Sequence, residues 1–178
     1  NGYITFGSFN NFAKVNDEVL AIWGNILTNV PRSKIILKSK GFAFADVRKA
    51  VYKRFAKIGI EEKRIDLRDF SENYLEEYNE IDIALDSFPY TGGATTCEAL
   101  YMGVPVLTLC GDTHGSRFGY SILKNIGLND WIAFSKTEYI EKATSLAREK
   151  SKLVQLRNSL RTMVENSPLM DRKLYMEN

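Results

Sequence analysis

The chain has 178 residues and a formal charge of +2, enough length for one domain with a sizeable core. Its 44% apolar and 26% charged residues place it among ordinary soluble globular proteins. Charges alternate in sign along the sequence, so there is no basic stripe for a nucleic acid to bind.

Short β-rich apolar runs alternate with stretches of helical period. "YITFGSF" (3–9) reads as the first strand. "NDEVLAIWGNILTNV" then reads as a helix with Val19, Ile22, Trp23, Ile26 and Leu27 on one face. Asn16 suits its N-cap, and Asp17 and Glu18 suit the positive end of its dipole. Strand "KIILKS" (34–39) precedes a helix over 45–58. The weaker strand "RIDLRD" (64–69) precedes a helix over 72–79. "IDIALD" (81–86), a helix over 95–102 and "VPVLTL" (104–109) follow, then a helix over 117–126 and the weaker strand "WIAF" (131–134). A helix over 136–149 runs into Leu146, Leu153, Leu156, Leu160 and Met163, spaced as one or two amphipathic helices ending before Ser167-Pro168. Runs such as "IIL" and "IALD" are apolar without alternation, as in strands buried on both faces of a parallel sheet. The expected fold is a doubly wound, Rossmann-like α/β sheet with right-handed crossovers.

Cys97 and Cys110 form no CxxC pair and no metal-ligand spacing, which points to a reduced, cytoplasmic protein. No apolar run approaches the ~20 residues of a membrane span, and no signal peptide is expected. The immediate entry into a strand reads as a piece of a longer protein.

Ligands of open α/β sheets bind where strand carboxyl ends lead into helix N-termini. Three such loops carry polar residues that packing does not require. "FNNFAKV" (9–15) offers Asn10, Asn11 and Lys14, a cation able to meet phosphate or a solvated surface residue. "FPYTGGATTCEALYMGVP" (88–105) has Gly92 and Gly93, which permit positive φ and a close backbone approach. Thr95 and Thr96 stand at a helix start that favours anions, and Glu98 is an acceptor suited to ribose hydroxyls. The same residues also read as a glycine turn with threonine caps and a dipole-complementing glutamate. There is no Walker loop and no GxGxxG. "CGDTHGSRFG" (110–119) contains the only histidine, His114, with Ser116 and Arg117. Cys97 and His114 lack an orienting third group for nucleophilic catalysis. Asp82 and Asp86 flank a strand without forming Asp-x-Asp, so no metal site is expected.

Together "FGSFNNFAKV", "DIALDSFPYTGGATTCEALYMGVPVLTL", "GDTHGSRFGYSIL" and "NSPLMD" resemble the C-terminal catalytic lobe of the O-GlcNAc transferase family. That family includes bacterial members fused to tetratricopeptide repeats, and the plant protein O-fucosyltransferases are similar. The resemblance spans residues 1–178 and implies the C-terminal half of a GT-B glycosyltransferase, the lobe that grips a nucleotide-sugar. It implies that Lys14 and Asn11 reach the donor diphosphate, that Thr95 and Thr96 bind phosphate, and that Glu98 holds the ribose. Tyr74 lies where the animal enzymes place a histidine that stacks on uracil, and Ser71 replaces a basic residue of the same loop. UDP-GlcNAc is the expected donor, with a guanine nucleotide as the alternative. The implied reaction is inverting and metal-independent transfer to a protein serine or threonine, with no cofactor. The acceptor is expected to bind through an N-terminal lobe and repeats. Two other readings are a non-catalytic nucleotide-binding or interaction module and the lobe of a small-molecule glycosyltransferase.

Overall fold

The computed structural model describes residues 2–171 and Met176. The strands are β1 (Thr5–Ser8), β2 (Lys34–Lys38), β3 (Ile65–Arg68), β4 (Ile83–Leu85), β5 (Val106–Leu109) and β6 (Ile132–Ala133). They form one sheet in the order β3-β2-β1-β4-β5-β6, and every adjacent pair is parallel. The helices are α1 (Asp17–Asn29), α2 (Ala45–Lys57), α3 (Ala94–Tyr101), α4 (Phe118–Asn125), α5 (Lys136–Arg148) and α6 (Lys150–Glu165). The doubly wound sheet expected from the sequence is therefore the fold.

The central strand shows why a continuous apolar run becomes parallel sheet. All four residues of β1 are buried. Phe6 pairs with Ile35 of β2 on one side and Ile83 of β4 on the other. Helices cover both faces, so neither face of β1 meets water. In α1, Asn16 caps as expected, its side-chain oxygen accepting from the Val19 N–H at 2.9 Å. Val19, Trp23, Ile26 and Leu27 are buried on its inner face, while Ile22 sits at the edge and Leu20 takes a core place. Each such side chain contributes about 1.5–3 kcal/mol on burial. Helix α1 packs beside α5, and α3 against α6.

Two elements differ from expectation. Residues 72–79 do not form an α-helix; turns lead instead into a 3-10 helix, Glu76–Glu80, whose only buried residue is Tyr78. One buried residue makes no apolar stripe on which an α-helix could pack. Lys38 also pins the segment, its Nζ donating to the Asp69 carbonyl (2.6 Å), Ser71 Oγ (2.9 Å) and Glu77 Oε1 (2.7 Å). The long C-terminal stretch is two helices. They part at Glu149, whose N–H turns back to the Leu146 carbonyl at 3.0 Å.

The strand order fixes where a ligand can enter. From β1 the chain crosses to β2 on one side, and from β4 it crosses to β5 on the other. The loops leaving these neighbouring strands diverge and leave a crevice at the carboxyl ends, the switch point of a doubly wound sheet.

Candidate functional site

The loop after β1 holds a 3-10 helix, Phe12–Lys14. Asn11 caps it, its side-chain oxygen accepting from the Ala13 N–H at 3.0 Å, while the side chain stays exposed. Lys14 is half-buried and reaches across to the β4 loop. Its Nζ donates to the Thr91 carbonyl at 3.3 Å and lies 4.4 Å from the Tyr90 ring centre. Burial lowers the Lys14 pKa from its ordinary value, and the charge of Asp86 opposes that fall.

Asp86, the residue after β4, organises this end of the crevice. It is 1% exposed and accepts from the Gly92 N–H (2.7 Å), Thr108 Oγ1 (2.8 Å) and Asn10 Nδ2 (3.2 Å). Asn10 then presents its oxygen to Thr95, whose hydroxyl donates to it at 2.9 Å. One carboxylate thus ties the loops after β1 and β4 to β5 and to the start of α3. Burial pushes its pKa up to about 6, against the pull of those hydrogen bonds. Sequence reasoning treated Asp86 only as a strand flank. The missed signal was a carboxylate ending an apolar run that must lie in the sheet interior.

The positive φ that the glycine pair permits is not used. Neither Gly92 nor Gly93 has a positive φ. Gly92 is required sterically, because a Cβ there would lie 2.6 Å from Thr96 Oγ1, 2.8 Å from Thr95 Oγ1 and 3.0 Å from Asn10 Oδ1. Gly93 is the N-cap of α3, and no side chain caps that helix. The threonines are therefore not caps. Thr96 is 3% exposed and lines a cavity of about 10 Å³ against Ser8 and Asp86, facing inward. Thr95 is only half-buried and borders the crevice.

Glu98 follows on α3. Its Oε1 accepts from the Tyr74 hydroxyl at 2.9 Å, and that bond raises the Tyr74 pKa. Tyr78 donates to the Thr95 carbonyl at 3.3 Å, with its ring 4.3 Å from that of Phe9. Burial pushes its phenol well up, and the Glu98 charge adds to the rise. Ser71 donates to Glu77 and accepts from Lys38, so the cation near that loop is Lys38, already paired with Glu77.

The third loop stands apart. His114 is exposed and packs edge-on against Phe118 at 4.9 Å, while Arg117 lies 5.1 Å from the Tyr120 ring. Gly115 nevertheless braces the second loop, its carbonyl accepting from the Thr91 N–H at 3.0 Å. Beside it a hollow of about 590 Å³ opens between Phe88, Cys110, Thr113, Phe134 and Lys136. Among the described residues no group of three or more His, Cys, Asp or Glu side chains could hold a metal ion. No helix among them is long and apolar enough to cross a membrane.

A parallel sheet wound both ways from a polar crevice is the architecture of a lobe of GT-B glycosyltransferases. More narrowly, the chain belongs to glycosyl transferase family 41, whose profile matches residues 1–178. It is 42% identical over 181 residues to the tomato (Solanum lycopersicum) protein named probable UDP-N-acetylglucosamine–peptide N-acetylglucosaminyltransferase SPINDLY. That match covers 100% of this chain and 19% of the relative, so the chain spans about a fifth of the curated relative's length. The Arabidopsis thaliana protein of the same description named SEC is 31% identical over 176 residues, 97% of this chain and 18% of its own. A Thermobaculum terrenum O-GlcNAc transferase structure superposes with a TM-score of 0.89 at 34% identity, over 93% of this chain and 32% of that one. Anabaena HepE, solved with UDP and glucose, shares the fold at a TM-score of 0.72 and 15% identity, over 98% of this chain and 47% of its own.

Proposed function

We propose that the chain is the donor-binding, C-terminal lobe of a cytoplasmic, inverting, metal-independent protein O-glycosyltransferase that uses a UDP-sugar, foremost UDP-GlcNAc. One observation carries the reading. Lys14 reaches the Thr91 carbonyl of the loop after β4, Thr95 at the start of α3 bonds back to Asn10 of the loop that carries Lys14, and Glu98 stands three residues further along α3. A cation and a helix N-terminus suit a diphosphate. A carboxylate further along α3 suits ribose hydroxyls and would repel phosphate. The printed names of the relatives, with UDP-N-acetylglucosamine and a peptide as substrates, support the same assignment.

In this mechanism Lys14 and the first N–H groups of α3 stabilise the negative charge that develops on the departing nucleotide diphosphate. Asn11 lies beside the diphosphate, and Tyr74 faces the base. An acceptor serine or threonine hydroxyl attacks the anomeric carbon from the opposite side, in a groove completed by an N-terminal lobe and repeats. Alignment of the two reactants supplies much of the rate, so this lobe alone binds donor without transferring sugar.

Calorimetric titration with UDP and GDP, free and sugar-linked, tests the binding half. A radiolabelled-donor assay with a peptide acceptor tests the rest, on this chain and on a protein that restores the other lobe. Transfer only by the two-lobe protein is the expected result. Binding without transfer in the two-lobe protein would make it a non-catalytic nucleotide-binding module. Robust labelling by this chain alone would sink the half-site reading.

A further inference from the structure

Glu98 is half-buried, yet its carboxylate is held in place by its neighbours. Tyr74 donates to one oxygen, and Tyr78, which lies beside it, is itself immobilised by burial and by the Phe9 ring. Tyr74 sits on a segment pinned on either side of it by Lys38, whose side chain is only 9% exposed. The Tyr74–Glu98 bond therefore joins an anchored loop to a helix. An ionised carboxylate offers about four acceptor positions. Tyr74 takes one of them, and two vicinal hydroxyls can use the others.

We infer that the Tyr74 hydroxyl is a positioning group that pre-sets Glu98 for a vicinal diol, making Tyr74 a determinant of ribonucleotide over deoxynucleotide selection. The inference rests on the donor-site reading above. An unanchored glutamate must be ordered when the sugar arrives, and ordering one long side chain weakens binding about three- to tenfold. With Tyr74 in place, that ordering precedes the ligand. The effect is confined to ligands that use Glu98, because phenylalanine keeps the ring that faces the base.

The test is titration of UDP, GDP and their 2′,3′-dideoxy forms against the wild type, Tyr74→Phe, Glu98→Ala and the double variant. Tyr74→Phe is expected to weaken the ribonucleotides about three- to tenfold and to leave the dideoxy forms unchanged. Glu98→Ala is expected to abolish discrimination between the two sugars, and adding Tyr74→Phe to it should change nothing further. Equal weakening of both ligands, no weakening of either, or tighter ribonucleotide binding by Tyr74→Phe would each overturn the inference while leaving the donor site intact. Absence of any nucleotide binding by the wild type would overturn the donor site and the inference with it.

Discussion

At the switch point Asp86, Asn10, Thr95 and Thr108 are held by hydrogen bonds of 2.8–3.2 Å around a fully buried carboxylate. Around β3 and the segment that follows it, Lys38, Glu77, Arg68, Glu80 and Asp66 form ion pairs whose members range from 9% to 55% side-chain exposure. A buried network leaves orphaned polar groups when any member is lost. A partly solvated ion-pair cluster can lose a member and let water replace it. The Asp86 network is therefore rigid in chemistry as well as in shape, while the ion-pair cluster tolerates exchange at its more exposed members, Asp66 and Glu80.

The largest expected break in this contrast comes from Asp86→Ala. It strands the Gly92 N–H, Asn10 Nδ2 and Thr108 hydroxyl together, and should lower stability by about 3 kcal/mol or more in urea unfolding. A loss below about 1 kcal/mol would mean that water or neighbours satisfy those donors.

Acidity sharpens the same point. The folded pKa of Asp86, about 6, lies above its ordinary 3.8, so the folded state binds this proton more tightly. The associated stability is fully present below 3.8 and is lost as pH rises through about 6. Within that window the slope approaches about 1.4 kcal/mol per pH unit. The unfolding free energy of the wild type minus that of Asp86→Asn should show this fall, and a flat difference would refute the raised pKa.

Lys14→Ala should weaken nucleoside diphosphate binding by about 1.5–3 kcal/mol, the range of a charge-assisted hydrogen bond, and spare the free nucleoside. Equal losses in calorimetry would remove Lys14 from the phosphate. The smallest effect belongs to the ion-pair cluster. Arg68→Ala should destabilise by about 1 kcal/mol or less, and raising salt to about 1 M should shrink the difference further. A salt-independent loss as large as that of Asp86→Ala would erase the distinction between the two networks.

The sequence reveals the scaffold better than the wiring. All six strands follow from apolar runs, and Asn16 is recognisable as a cap because its signal is local. Lys14, Thr95 and Glu98 stand out as polar residues after strand ends, and the structure bonds Thr95 to Asn10 of the loop that carries Lys14. Asp86 was overlooked because its partners Asn10 and Thr108 lie 76 and 22 positions away, beyond any local pattern. The helix expected over 72–79 failed for a similar reason, since Lys38 holds that segment from a different strand. Gly92 reads as a source of positive φ and close backbone approach, whereas the structure gives it no positive φ and crowds it with Asn10 of the loop after β1 and with Thr95 and Thr96 of α3.

The long reach of Asn10 has a kinetic consequence. Its bonds to Asp86 and Thr95 span 76 and 85 positions. Contacts of that separation form only after extensive loop closure, late in the assembly of a parallel sheet. Until then no crevice exists for a nucleotide to occupy. A bound nucleotide should accordingly lengthen the lifetime of the native chain by slowing its unfolding, and leave the rate at which new chains fold unchanged.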